Sequence, residues 1–149
     1  MRRSRQLFLA ITLTIGAAAC DESLSTITGP TPDLEPTFSS IQKNIFENSD
    51  SSGRSACVKC HTNVGRPTVG GLVLTHDVAY DQLVNVLSNE IPSVKRVNPG
   101  DPENSYIIHK VEGRAGIVGR RMPFDGPPYL TDGQIQVIKR WIELGAQRN

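Results

Sequence analysis

Large aromatic side chains are scarce in this chain: of 149 residues, 4 are Phe, 3 are Tyr and 1 is Trp. Aromatics come to 5% and all hydrophobic residues to 38%, so side-chain packing alone is a poor organiser for the fold and a further apolar element is expected. No apolar run reaches the roughly 20 residues that a helix needs to span a bilayer. The longest, Leu7 to Ala19, has 13 residues. Charge of one sign is lacking too. The formal net charge is +1, and without Arg2, Arg3 and Arg5 it is −2, which argues against the basic footprint of a nucleic-acid binder. Cysteine is rare at 3 residues and methionine rarer at 2. Gly and Pro are not rare, at 13 and 10, so much of the chain should be loop. The length allows one domain at most.

Those arginines precede the apolar stretch, which ends Ala17-Ala18-Ala19-Cys20. A positive start, a short apolar segment and small residues before a cut describe a secretory signal over 1–19. The ending also resembles a bacterial lipobox, in which the cysteine takes lipid and becomes the new N-terminus; this makes Cys20 a candidate acylation site. Cleavage after Ala19 without acylation is the alternative, since Ala17 stands where such motifs usually carry Leu. The polar run 20–36 reads as a flexible tether. Export places the remaining cysteines on the periplasmic side, an oxidising compartment.

Cys57-Val58-Lys59-Cys60-His61 is the pattern Cys-x-x-Cys-His, which marks c-type haem attachment. Two cysteines at this spacing can each add across one vinyl group of the same porphyrin. The adjacent imidazole then meets the iron from the proximal side. With 3 Cys and 3 His in 149 residues, the triple is expected by chance roughly once in a thousand such chains. Other readings fit less well. A thioredoxin-like pair wants a βαβ context, and none is visible. A structural zinc site wants four ligands, and His76 and His109 lack the usual spacing. A plain disulfide leaves His61 without a role.

The far side of the iron decides between electron transfer and chemistry at an open position. Met122 is the only thioether left once Met1 goes with the leader. Pro123 follows it and disfavours helix, so Met122 should sit on an extended loop able to lean over a porphyrin face. A lone Met is usually core filler, and its Arg and Pro neighbours argue against that here. His109, after Ile107-Ile108 on an expected helix, is the competing ligand; His76 is read as a capping-region residue.

Helical patterns surround these positions. Phe38, Ile41 and Ile45 predict a helix near 37–48, and Ala79, Leu83, Val86 and Leu87 another near 76–88. Asp101 and Pro102 read as N-cap and first residue of a third, which carries Ile107, Ile108 and Val111 and stops at Gly113. Thr131 and Gln134 form a capping box before Ile135, Ile138 and Ile142, with Gly145 as the stop. The expected fold class is all-α, four short helices joined by Gly/Pro loops.

Taken together, Cys57 to His61, Gly71-Leu72, Asn98 to Pro102 with Ser105-Tyr106, Met122-Pro123 and the closing Trp141 to Ala146 resemble a monohaem cytochrome c domain. The planctomycete-type subgroup of exported bacterial proteins is the most similar variant, and the resemblance covers about 37–147. It implies a small cytochrome c fold around one covalent haem c. Cys57 and Cys60 would form the thioethers, with His61 the proximal and Met122 the distal iron ligand. It also implies that a backbone carbonyl near Gly70–Leu72 orients the imidazole, and that Phe46 and the first helix pack on Trp141 and the last. The polar insert 48–55 is a departure, since relatives run more directly into the haem motif.

The function expected is one-electron transfer, with redox proteins as partners, a lipid-anchored place at the membrane, and neither a small-molecule substrate nor an enzymatic activity of its own. Arg120 and Arg121 would pair with haem propionates, steer an acidic partner, or stand as solvated loop charges. Two rivals are a haem protein with an open distal position, catalytic or gas-sensing, and an envelope subunit whose haem mainly staples the fold.

Overall fold

The computed structural model describes residues 34–149; the leader, most of the tether and Cys20 lie outside them. Every regular element among the described residues is helical. Helix α1 is Phe38–Ile41, continued without a break by a π-helical turn, Gln42–Phe46. Thr37 caps it, its side chain accepting from Ser40 N at 3.2 Å. Helices α2 (Ala79–Leu83), α3 (Tyr106–Glu112) and α4 (Asp132–Glu143) follow, with 3-10 turns at Cys57–Lys59 and Val69–Gly71.

Helix α4 matches its sequence signals. Thr131 accepts from Gln134 N at 3.2 Å while the Gln134 side chain accepts from Thr131 N at 3.0 Å, a complete capping box. One face of α4 is buried through Ile135, Ile138, Trp141 and Ile142. It meets α1, where the Phe38 ring lies 5.6 Å from that of Trp141 and 5.1 Å from Tyr80. The ring seated on Trp141 is therefore that of Phe38, whereas Phe46 turns to line a cleft. Asn149 closes the same corner: its carbonyl accepts from Ser39 N and its side chain from Phe38 N, both at 2.8 Å.

Two boundaries differ from the sequence reading. The helix expected over 76–88 ends at Leu83, because Asn85 takes a left-handed φ of 61°. The chain then runs extended, with Val84 bridged to Val97 and Leu87 to Lys95. The third helix starts at Tyr106, not Pro102. Asp101 caps a turn instead, Oδ1 accepting from Asn104 N at 3.1 Å, and Ser105 ties that turn back by donating to Asp101 O at 2.8 Å. Gly113 does stop α3, in left-handed conformation at φ 71°.

Candidate functional site

The loop 48–55 delivers the Cys-x-x-Cys-His segment to its place. Read as a polar insert, it proves to be built around Arg54, which is 0% exposed. The guanidinium donates to Asp50 Oδ2 at 2.9 Å, to the carbonyls of Asn48 and Ser55 at 2.9 and 3.0 Å, and to Ile45 O at 3.2 Å. The Ile45 and Asn48 carbonyls stand where the π turn ends and the loop begins, and that of Ser55 at the loop's far end. Burial alone would raise the Asp50 pKa, but hydrogen bonds from Ser52, Arg54 and Gln134 prevail and hold it at about 2. The charge pair thus joins α1, the loop and α4.

From this clamp the chain enters the 3-10 turn at Cys57, where His61 N donates to Cys57 O at 2.9 Å. Cys57 and Cys60 are both free, with no disulfide between them. The Cys57 thiol donates to Ile45 O at 3.6 Å, and burial pushes its pKa up to about 11. His61 is held twice: its carbonyl accepts from Leu74 N at 2.9 Å, and Nδ1 lies 3.3 Å from Leu72 O. Burial lowers the His61 pKa, while the carbonyls of Leu72 and Val69 oppose that shift.

All three motif residues face one cleft of about 1020 Å³, counting the space at its open mouth. Phe46, Leu74, Leu83, Leu130 and Ile138 form buried parts of its wall, drawn from every region of the fold. Met122 lines the same cleft. Its N–H donates to Lys110 O at 2.8 Å, which fixes the 120–128 loop to α3. The loop is also strapped to the cysteine motif, because Asp125 Oδ2 accepts from Lys59 Nζ at 2.9 Å and from Ser55 Oγ at 2.8 Å. Residues 61 and 122, distant in sequence, are thus brought to one space.

The competing ligands are not. His109 is half-buried, its Nε2 2.6 Å from Glu103 O, and His76 is exposed beside Asp77; neither lines the cleft. Among the described residues no three His, Cys, Asp or Glu side chains converge as a metal-binding group.

Arg120 and Arg121 also point elsewhere. Arg120 stacks on the exposed Phe124 ring at 5.0 Å; Arg121 donates to Val111 O at 2.7 Å and stacks on Tyr129 at 4.3 Å. The cations that line the cleft are Arg96 and Lys110, which the sequence reading missed. Lys110 is buried in an ion pair with Glu90 at 3.0 Å, and Tyr106 donates to the same carboxylate at 2.8 Å. Arg96, 6% exposed, donates to Gly71 O at 3.0 Å and Gln82 O at 2.8 Å. A mostly apolar cleft therefore carries thiols and an imidazole on one wall, a thioether from another, and a polar corner of Arg96, Lys110, Glu90 and Tyr106. Compared with protein-family models, curated proteins and solved structures, the chain matches none, so its function is argued from the residues that face this cleft.

Proposed function

We propose that this chain is an exported one-electron carrier holding one covalent c-type haem, with His61 and Met122 as axial ligands. The observation that carries this reading is the convergence of Cys57, Cys60, His61 and Met122 on a single apolar cleft. Two unpaired thiols at the required spacing, the only imidazole on the cleft and the only thioether of the mature chain all fit the group. Bound there, the haem supplies reversible Fe(III)/Fe(II) exchange, and methionine ligation raises its potential.

The chain's own residues do the rest. Cys57 and Cys60 would hold the group through two thioethers, each S–H adding across one vinyl group, sulfur to one carbon and hydrogen to the other, so no oxidant would be consumed. The Leu72 carbonyl engages Nδ1 of His61, which leaves Nε2 to hold the group and would make the imidazole a stronger donor. Met122, on another part of the same cleft, would supply a second ligand to the iron and leave no position there for oxygen or a substrate. Arg96 and Lys110 supply positive charge for the carboxylates of the group. Val69 and Phe124, 41% and 59% exposed at the rim of the cleft, offer the small contact that transient redox partners use. Cys20, on this reading, carries the lipid that keeps the carrier at the membrane.

The test is the purified protein's reduced visible spectrum, followed by acid–acetone treatment. A sharp low-spin α-band and pigment that stays with the polypeptide are expected. Colourless protein, or pigment that is extracted, overturns the assignment; rapid carbon monoxide binding by the reduced protein would favour the open-site rival. Palmitate labelling that is lost in Cys20→Ser is the expected sign of the anchor.

A further inference from the structure

We infer that Arg96 is the positioning residue for the proximal imidazole, acting through the backbone that carries the Leu72 carbonyl; this rests on the haem reading above.

The carbonyl that faces His61 Nδ1 stands on unpromising ground. It follows Gly70 and Gly71, at φ 61° and 62°, in a segment whose residues are exposed from Asn63 to Gly71. Two successive glycines give the backbone the widest conformational choice any dipeptide has. The local bond from Leu72 N to Val69 O, at 3.2 Å, closes only a single 3-10 turn. An imidazole needs a carbonyl of fixed direction; Leu74 N, donating to His61 O at 2.9 Å, ties down the far side of Leu72, and on the glycine side nothing within the segment does the same.

Arg96 provides it from outside. Its guanidinium donates through Nη2 to Gly71 O at 3.0 Å and through Nη1 to Gln82 O at 2.8 Å and Gln82 Oε1 at 3.3 Å. One rigid planar fork therefore pins the peptide next to the Leu72 carbonyl to the C-terminal end of α2. Arg96 is itself anchored, since its N–H donates to Val86 O at 2.7 Å and its carbonyl accepts from Ile107 N at 3.0 Å. Asn89 completes the seat by occupying the space where a Cβ on Gly71 would stand. With 6% of its surface exposed, Arg96 is too deep to be a solvated charge. It reaches His61 only through two peptides, so it positions and does not ligate.

The experiment uses the haem-loaded full chain with Arg96→Met, which keeps an unbranched stem and loses every side-chain donor, and Arg96→Lys, which keeps the charge and loses the fork. The readout is the exchange rate with water of the His61 Nδ1 proton by NMR, with the reduction potential measured alongside. Exchange several-fold faster in Arg96→Met, partly restored in Arg96→Lys, is expected. The potential of Arg96→Lys should move upward, because a freer Nδ1–H makes the imidazole a weaker donor to ferric iron; losing Met122 would move it downward, and so would loss of charge alone. Pigmented, low-spin Arg96→Met with wild-type proton exchange overturns the inference. So does failure of both variants to give folded pigmented protein, since the residue would then serve the fold at large. A wild-type chain without covalent pigment would instead remove the haem reading itself.

Discussion

Replacing Arg54 by Met should unfold this domain more readily than almost any other single change outside the apolar core. The side chain is 0% exposed and spends its donors on four acceptors: the Asp50 carboxylate and the carbonyls of Ile45, Asn48 and Ser55. Methionine fills much of the volume and answers none of them. Removing one partner of a buried ion pair costs about 3–5 kcal/mol, because the other charge is left without compensation. Asp50 retains 15% side-chain exposure, and water can reach it, which places the expected cost near the lower end. About 3 kcal/mol corresponds to a fall in Tm of roughly 12 °C in a domain of this size. Urea unfolding at pH 7 on the pigmented wild type and variant would measure it, through a lower midpoint at unchanged slope. A loss below about 1 kcal/mol would refute the reasoning. The loop 48–55 would then hold its shape without the guanidinium, and the delivery of Cys57 would need another explanation.

Acid offers a related test on the unaltered chain. Asp50 sits at about 2 when folded against 3.8 ordinarily, so its contribution is complete above pH 4 and disappears as pH falls through 2; about 2 kcal/mol should be lost over that interval, and Asp50→Asn should flatten it. Met122→Ala should lower the reduction potential and admit carbon monoxide to the reduced iron; a six-coordinate spectrum with unchanged potential would show that another residue is the distal ligand. Cys57→Ser and Cys60→Ser should each leave at most one thioether, seen as pigment that is partly or wholly extracted by acid–acetone. Asp125→Ala should leave the urea midpoint nearly unchanged, because the Lys59 pair is exposed to solvent; a clear drop would mean that the strap across the 120–128 loop bears on the whole fold.

What the sequence showed most clearly was local chemistry with a fixed register. The capping box of α4 needs only Thr131 and Gln134 three apart, and the stop at Gly113 needs only a residue tolerant of positive φ. The Cys57–His61 turn and its neighbourhood to Met122 were likewise legible, the first from spacing and the second from the scarcity of thioethers. Apolar spacing misled at 76–88, because Leu83, Val86 and Leu87 suit a helix face as well as an irregular extended run. Leu87 is in fact 53% exposed, and Asn85 turns the chain. Asp101-Pro102 carries the same turn chemistry that opens helices, and here it closes a turn before Ser105. Arg54 and Arg96 were illegible for another reason. Their partners are mostly backbone carbonyls brought near by the fold, and a carbonyl has no letter in the sequence. The arginines beside Met122 looked the better candidates for the cleft only because they were adjacent in the chain.

The cleft has one more implication, for the order in which the molecule is completed. Its walls come from early and late parts of the described residues, with Ile45 and Phe46 before the cysteine motif and Leu130 and Ile138 well after it. As the polypeptide emerges from its N-terminus, the cysteine pair is available while α4 is still to come. On the proposed reading, pigment would be joined to a half-open cleft before Leu130 and Ile138 pack against it, and colour and stability would then be acquired together.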